Sequence, residues 1–146
     1  MSDLIDRLAA NPGLYAGPQA DPSANSNSSQ SAARVVVTRL PGGSGVSLDY
    51  EVLSPQNGRV HAEHAVLART PSGNVLVTSH SHAVVASVLH ETEPGYFPAD
   101  TGEATFPMAI RLEVPEPGQL VYSWSYGTPG EALAVRDVGT LTIVAP

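Results

Sequence analysis

Two short segments hold most of the side chains in this 146-residue chain that could do chemistry. "RVHAEHAVL" contains His61 and His64, and "VTSHSH" contains His80 and His82. The chain has no cysteine, and its seven basic residues are all arginine. Disulfides, thiolate metal ligands and a cysteine nucleophile are therefore excluded, and imidazole is left as the versatile group. His80 and His82 are two residues apart, so on a strand they project from one face. With His64 from a neighbouring strand they would make a three-imidazole site for zinc or a similar divalent metal. A water in the fourth position would bring hydrolytic or hydration chemistry. Heme ligation by His64, His80 or His82 is a second use of the same residues. A third is to orient a small ligand by hydrogen bonds, and a fourth is simply to be internal polar residues bonded to Tyr50 or Thr78.

Other chemistries have less support. There is no Gly-x-Ser-x-Gly elbow, and Ser79 and Ser81 alternate away from His80 and His82. Asp49 and Glu51 read as solvated positions between inward-facing residues. "PGGSG" links two strand-like runs with no helix after it, so it is not a phosphate loop.

The elements that would position these residues are strands. "ARVVVTRL", "GVSLDYEVL", "RVHAEHAVLART", "NVLVTSHSH", "VVASVLHE", "TFPMAIRLEV", "LVYSWSYG" and "VGTLTIVA" are rich in β-branched and aromatic residues. Gly- and Pro-containing turns separate them, which predicts an all-β sandwich or barrel. Ahead of them, residues 2–11 read as a short helix capped by Ser2, "GLYAG" as a short strand, and 18–33 as a polar, flexible loop. The whole chain, 1–146, is expected to form one domain, with its barrel strands over 34–146.

Turn chemistry predicts a register. A three-residue loop at "TPSGN" pairs Thr70 with Asn74, and His64 then faces His80. A turn at "SPQNG" with Asn57 left-handed pairs Ser54 with Gly58, and Leu48 then faces His64. Both place His64, His80 and His82 on the apolar face with Leu48, Tyr50, Val52, Val60, Ala62, Val66 and Leu76, and put His61 and Glu63 on the opposite face. His61 and His90 read as surface or rim residues. Later, Phe106, Met108, Ile110, Leu112 and Val114 share one face, as do Leu120, Tyr122, Trp124 and Tyr126.

Fourteen acids against seven arginines give a formal net charge of −7. A nucleic-acid partner needs a basic footprint, which this chain lacks. The N-terminus "MSDLIDRLAANPG" carries acids where a signal peptide needs positive charge, and no run approaches the length of a spanning helix. The expectation is a cytoplasmic protein without membrane insertion.

A short helix, a strand at "LYAG" and about eight further antiparallel strands resemble the calycin layout. The likeness is to the lipocalin-like, fatty-acid-binding-protein-like barrels, including the nitrobindin-like heme barrels of bacteria. Tyr15 in "GLYAGPQ" stands where that group has the tryptophan of its Gly-x-Trp-x-Gly-x-Gly pattern, and Pro18 interrupts the pattern. That group places its heme-ligating histidine late, whereas no histidine follows His90 here. Fatty-acid carriers keep a late Arg-x-Tyr pair; here Arg136 precedes Asp137 and Val138. The resemblance implies an antiparallel barrel of about 8–10 strands with an internal cavity, and it implies no particular ligand.

The expectation is a non-enzymatic barrel that binds a small hydrophobic or aromatic molecule. Tyr50, His64, His80, His82, Tyr122, Trp124 and Tyr126 would line the site, and "ETEPGYFPADTGEA" would serve as portal or lid. The alternatives are a metal enzyme at His64, His80 and His82, or a packed barrel that forms a homodimer through the "HSH" edge.

Overall fold

The computed structural model describes residues 3–21, 31–99, 107–128 and 130–146. A helix, α1 (Leu4–Ala10), precedes ten strands. These are β1 (Gly13–Ala20), β2 (Ser31–Arg39), β3 (Gly45–Ser54), β4 (Gly58–Thr70), β5 (Gly73–His80), β6 (Ser87–His90), β7 (Tyr96–Pro98), β8 (Met108–Glu113), β9 (Gln119–Tyr126) and β10 (Ala134–Ala145). They form one antiparallel sheet in the order β6-β5-β4-β3-β2-β1-β10-β9-β8-β7, curled into a nearly closed barrel. The two edge strands, β6 and β7, are consecutive in the chain. Glu91 braces the turn between them, accepting from Asn74 Nδ2 of β5 at 3.1 Å and from Gly95 N–H at 2.9 Å. No helix among the described residues is long and apolar enough to cross a membrane.

Three local expectations are corrected. The N-cap of α1 is Asp3, whose carboxylate accepts from Asp6 N–H at 2.9 Å; Ser2 lies outside the described residues. The polar segment 18–33 is strand at both ends, since β1 runs to Ala20 and β2 starts at Ser31; residues 22–30 lie outside the described residues. In the expected lid, Tyr96–Pro98 pair with β8, and Phe97 is fully buried in the core. Residues 100–106 of that segment, Phe106 included, lie outside the described residues.

The barrel is filled from one end. Ile5 and Leu8 of α1, which packs against β2 and β3, have essentially no exposed surface and belong to one continuous core with Val37, Val46, Leu48, Leu67 and Leu76. Polar clamps seat the helix: Arg7 donates to the Val114 carbonyl, Arg39 to the Ala9 carbonyl at 2.7 Å, and Arg69 to Asp6. The inward rows of β8 and β9, Met108-Ile110-Leu112 and Leu120-Tyr122-Trp124, are buried as alternation predicts. At the end away from α1 lie Val52, Val60, His80 and Tyr126, and there the filling stops.

The register of β4 departs from expectation by one residue on both sides. Ser54 does pair with Gly58, but the left-handed residue is Gly58 (φ 68°) and not Asn57. A bulge follows: Leu53 pairs with Arg59 and Val52 with His61, so Val60 is the extra residue. On the other side, Thr70 pairs with Gly73 across a two-residue turn. The Thr70 hydroxyl holds that turn, donating to the Gly73 carbonyl at 2.7 Å and accepting from Ser72 N–H at 3.3 Å. Each slip is a single residue, and a one-residue slip against either neighbour turns the strand over, so the side chains of β4 from His61 onward change face. His61, Glu63, Ala65 and Leu67 point inward, while Ala62, His64 and Val66 point outward.

Candidate functional site

At the open end, above the packed core, lies a cavity of about 390 Å³. Tyr50 and Val52 of β3, Val60 and His61 of β4, His80 of β5, His82 just beyond it, Trp124 and Tyr126 of β9 and Asp137 of β10 line it. Its volume falls in the range of roughly 300–1,000 Å³ seen for small-molecule sites.

Three imidazoles face one another in this cavity. The rings of His61 and His82 lie 5.2 Å apart, His80 and His82 6.0 Å, and His61 and His80 6.2 Å. Trp124 presents its ring edge-on to His61 at 5.4 Å and to His80 at 5.1 Å. The His82 backbone N–H donates to His80 Nδ1 at 3.3 Å, so the neutral ring carries its proton on Nε2. Burial holds the His80 pKa below the ordinary imidazole value; the charge of Glu63 opposes this, and His61 and His82 add to it.

Beneath the imidazoles sits Glu63, whose side chain has no exposure to solvent. One carboxylate oxygen accepts from Tyr122 OH at 2.7 Å and from Trp124 Nε1 at 3.2 Å, and the other accepts from Thr78. These three donors satisfy a group that would otherwise be very costly to bury. His61 Nε2 stands 3.8 Å from the same carboxylate. Tyr50 stacks on Tyr122 with centroids 4.4 Å apart and donates to Gln19 Oε1 at 2.9 Å, tying β1, β3 and β9 together. Burial drives both phenols well above their usual pKa, and nearby carboxylates raise them further. Both hydroxyls are thus donors, not phenolates. The carboxyl of Asp137 is also raised, first by burial and then by the charge of Asp21, against opposing contributions from Gln19, His61 and His82.

The structure thus brings Tyr50, His80, His82, Trp124 and Tyr126 together around the cavity, with Tyr122 in the layer below. It does not bring His64 there. His64 is 58% exposed on the outer face, where Nδ1 meets Asp49 Oδ1 at 2.5 Å. A set of His64, His80 and His82 cannot converge across the sheet, because the Val60 bulge and the two-residue turn point His64 away. His61, taken from sequence as a rim residue, occupies its place. Among the described residues no group of three histidine, aspartate or glutamate side chains is arranged to hold a metal ion. On the outer face Asp49, His64 and Ser79 are cross-strand neighbours. Asp49 is itself 54% exposed, so this row is solvated and its ion pair screened.

Sequence reasoning missed His61, Glu63 and Asp137. Ala65 and Leu67, which share the face of His61 and Glu63, were the available signal, but they were outweighed by Val60, Ala62 and Val66. Asp137 follows a second irregularity, where Val135 pairs with Ser125 and Asp137 with Trp124, and alternation alone cannot register such a shift.

Comparison with known families finds no family model that matches the chain, and a search of curated proteins finds no match.

Proposed function

We propose that this protein is a calycin-type small-molecule carrier that holds one compact, largely aromatic ligand in the cavity at the open end of its barrel. The observation behind this reading is a cavity of about 390 Å³ walled by Tyr50, Trp124 and Tyr126 and set above a packed core. Aromatic walls with a few convergent polar groups are typical of ligand sites. The imidazoles of His61, His80 and His82 supply both donors and acceptors at fixed spacing, which suits orientation of a ligand.

Trp124 is the only tryptophan of the chain and stands in the cavity wall, so its fluorescence reports on occupancy. Aromatic fragments that bind should change its emission and raise the melting temperature as their concentration passes Kd. Val60→Phe, a change at a residue 40% exposed at the mouth, should weaken both responses without loss of folding. Fragments that raise the melting temperature equally in wild type and Val60→Phe, with Trp124 emission unchanged, would place binding elsewhere and refute the reading.

A further inference from the structure

The charge around the cavity narrows what it accepts, on the reading that the cavity is a ligand site. Asp137 lines the wall, and Glu63 lies one layer below with its side chain sealed from solvent. The hydrogen-bond partners of Glu63 are Thr78, Tyr122 and Trp124, all neutral donors that satisfy its oxygens without cancelling its charge. Asp21 adds to the negative field at Asp137 and Tyr126.

Positive charge is placed less favourably. Arg34 and Arg59 reach Glu51, whose neighbours on β3 face the interior while it faces out. Arg136 has its guanidinium carbon 6.0 Å from the Tyr126 ring centroid, where it counters part of the field. His80 is a poor neutraliser, since burial holds its pKa below the ordinary imidazole value, with His61 and His82 rings 6.2 Å and 6.0 Å away. His80 already accepts a backbone N–H on Nδ1. An organic anion entering this cavity would meet two carboxylates in a partly desolvated space. A cation would meet the same carboxylates beside the aromatic side chains of Tyr50, Tyr126 and Trp124.

We infer that the cavity selects a compact organic ammonium ion with an apolar or aromatic flank, its charged end held by Asp137 and its flank by Val52, Val60 and Trp124. Carboxylate ligands, the cargo that a fatty-acid-carrier layout would suggest, are disfavoured.

Three probes that share one phenylethyl tail separate charge from shape: 2-phenylethylammonium, 2-phenylethanol and 3-phenylpropionate, each titrated against Trp124 fluorescence at neutral pH and low salt. The ammonium should bind about tenfold or more tighter than the alcohol, a difference of about 1.4 kcal/mol, and the carboxylate more weakly than the alcohol. Asp137→Asn, a conservative change at a half-buried wall position, should lower the ammonium-to-alcohol ratio severalfold. Glu63→Gln should lower that ratio in part. If the alcohol binds as well as the ammonium, or the carboxylate binds best, the charge assignment fails and the cavity reading survives. If none of the three alters Trp124 emission in the folded protein, the cavity reading fails and takes the charge assignment with it.

Discussion

At the scale of single residues, Glu63 connects fold and site. It is a buried carboxylate with three donors aimed at it from β5 and β9, so it is both a tie across the barrel and a source of field at the cavity floor. Glu63→Ala would strand the Tyr122 hydroxyl, the Trp124 N–H and Thr78 without an acceptor, at a cost of about 3 kcal/mol or more. Glu63→Gln keeps a carbonyl oxygen for Tyr122 and Trp124 and should retain most of the stability. Urea midpoints for the two variants test this, and equal loss in both would count against a hydrogen-bonding role. His80 sets an acid limit. Its folded-state pKa lies below the ordinary 6.5, so the unfolded chain binds more protons there and stability falls as pH drops below that value. Asp137 acts with the opposite sign: its carboxyl is raised from 3.8, so its contribution is largest below 3.8 and diminishes as pH rises through the folded value. His80→Asn should therefore narrow the gap between urea midpoints measured at about pH 7.5 and about pH 5.5. An undiminished gap would assign the acid limit to other groups. None of this was legible from residue type alone, since His61 and His64 are the same residue three positions apart and one is a wall while the other is solvated.

At the scale of elements, the decisive features are one bulge and one turn. The inward rows of β3, β5, β8 and β9 were legible because their alternation is clean and their large residues fall on one side. β4 was not, because both of its faces carry apolar residues and its register depends on where an extra residue is accommodated. Val60 is that residue, and the Thr70 hydroxyl favours a two-residue turn over the three-residue loop read from Pro71 and Gly73. The corrected register can be checked without any ligand. His61→Ala should shift Trp124 emission, because the rings meet edge-on at 5.4 Å, whereas His64→Ala should leave the spectrum as it is. The reverse pattern would restore the register expected from turn chemistry. Pairing of β1 with β10 rests on another local detail. A Cβ added at Gly17 would lie 2.0 Å from the Thr140 carbonyl oxygen, so only glycine permits this approach. Gly17→Ala should cost about 1–3 kcal/mol by forcing the strands apart, and a thermal midpoint equal to wild type would show that the backbone yields without strain.

For the molecule as a whole, the two ends of the barrel do different jobs. α1 plugs one end with Ile5 and Leu8, both buried, and the opposite end is left as a cavity. Stability and binding should therefore separate. Leu8→Ala removes a fully buried side chain and should cost about 2–5 kcal/mol, yet leave the affinity for 2-phenylethylammonium unchanged in the folded protein. A parallel loss of affinity would mean that the core and the mouth are coupled.

Local pattern was enough to read the all-β class, the N-terminal helix, most inward rows and the net negative charge. Each of these follows from local propensity, period-two alternation or summed charge, which need no knowledge of distant residues. Tertiary structure alone decided that Glu63 is buried, that His61 rather than His64 joins His80 and His82, and that Asp137 completes the wall. A period of two makes face assignment hostage to a single inserted residue, and whether a strand absorbs that residue at Val60 depends on cross-strand bonds to β3 and β5. Whether a barrel is hollow or filled is likewise a sum over all of its strands, and only the closed structure evaluates it.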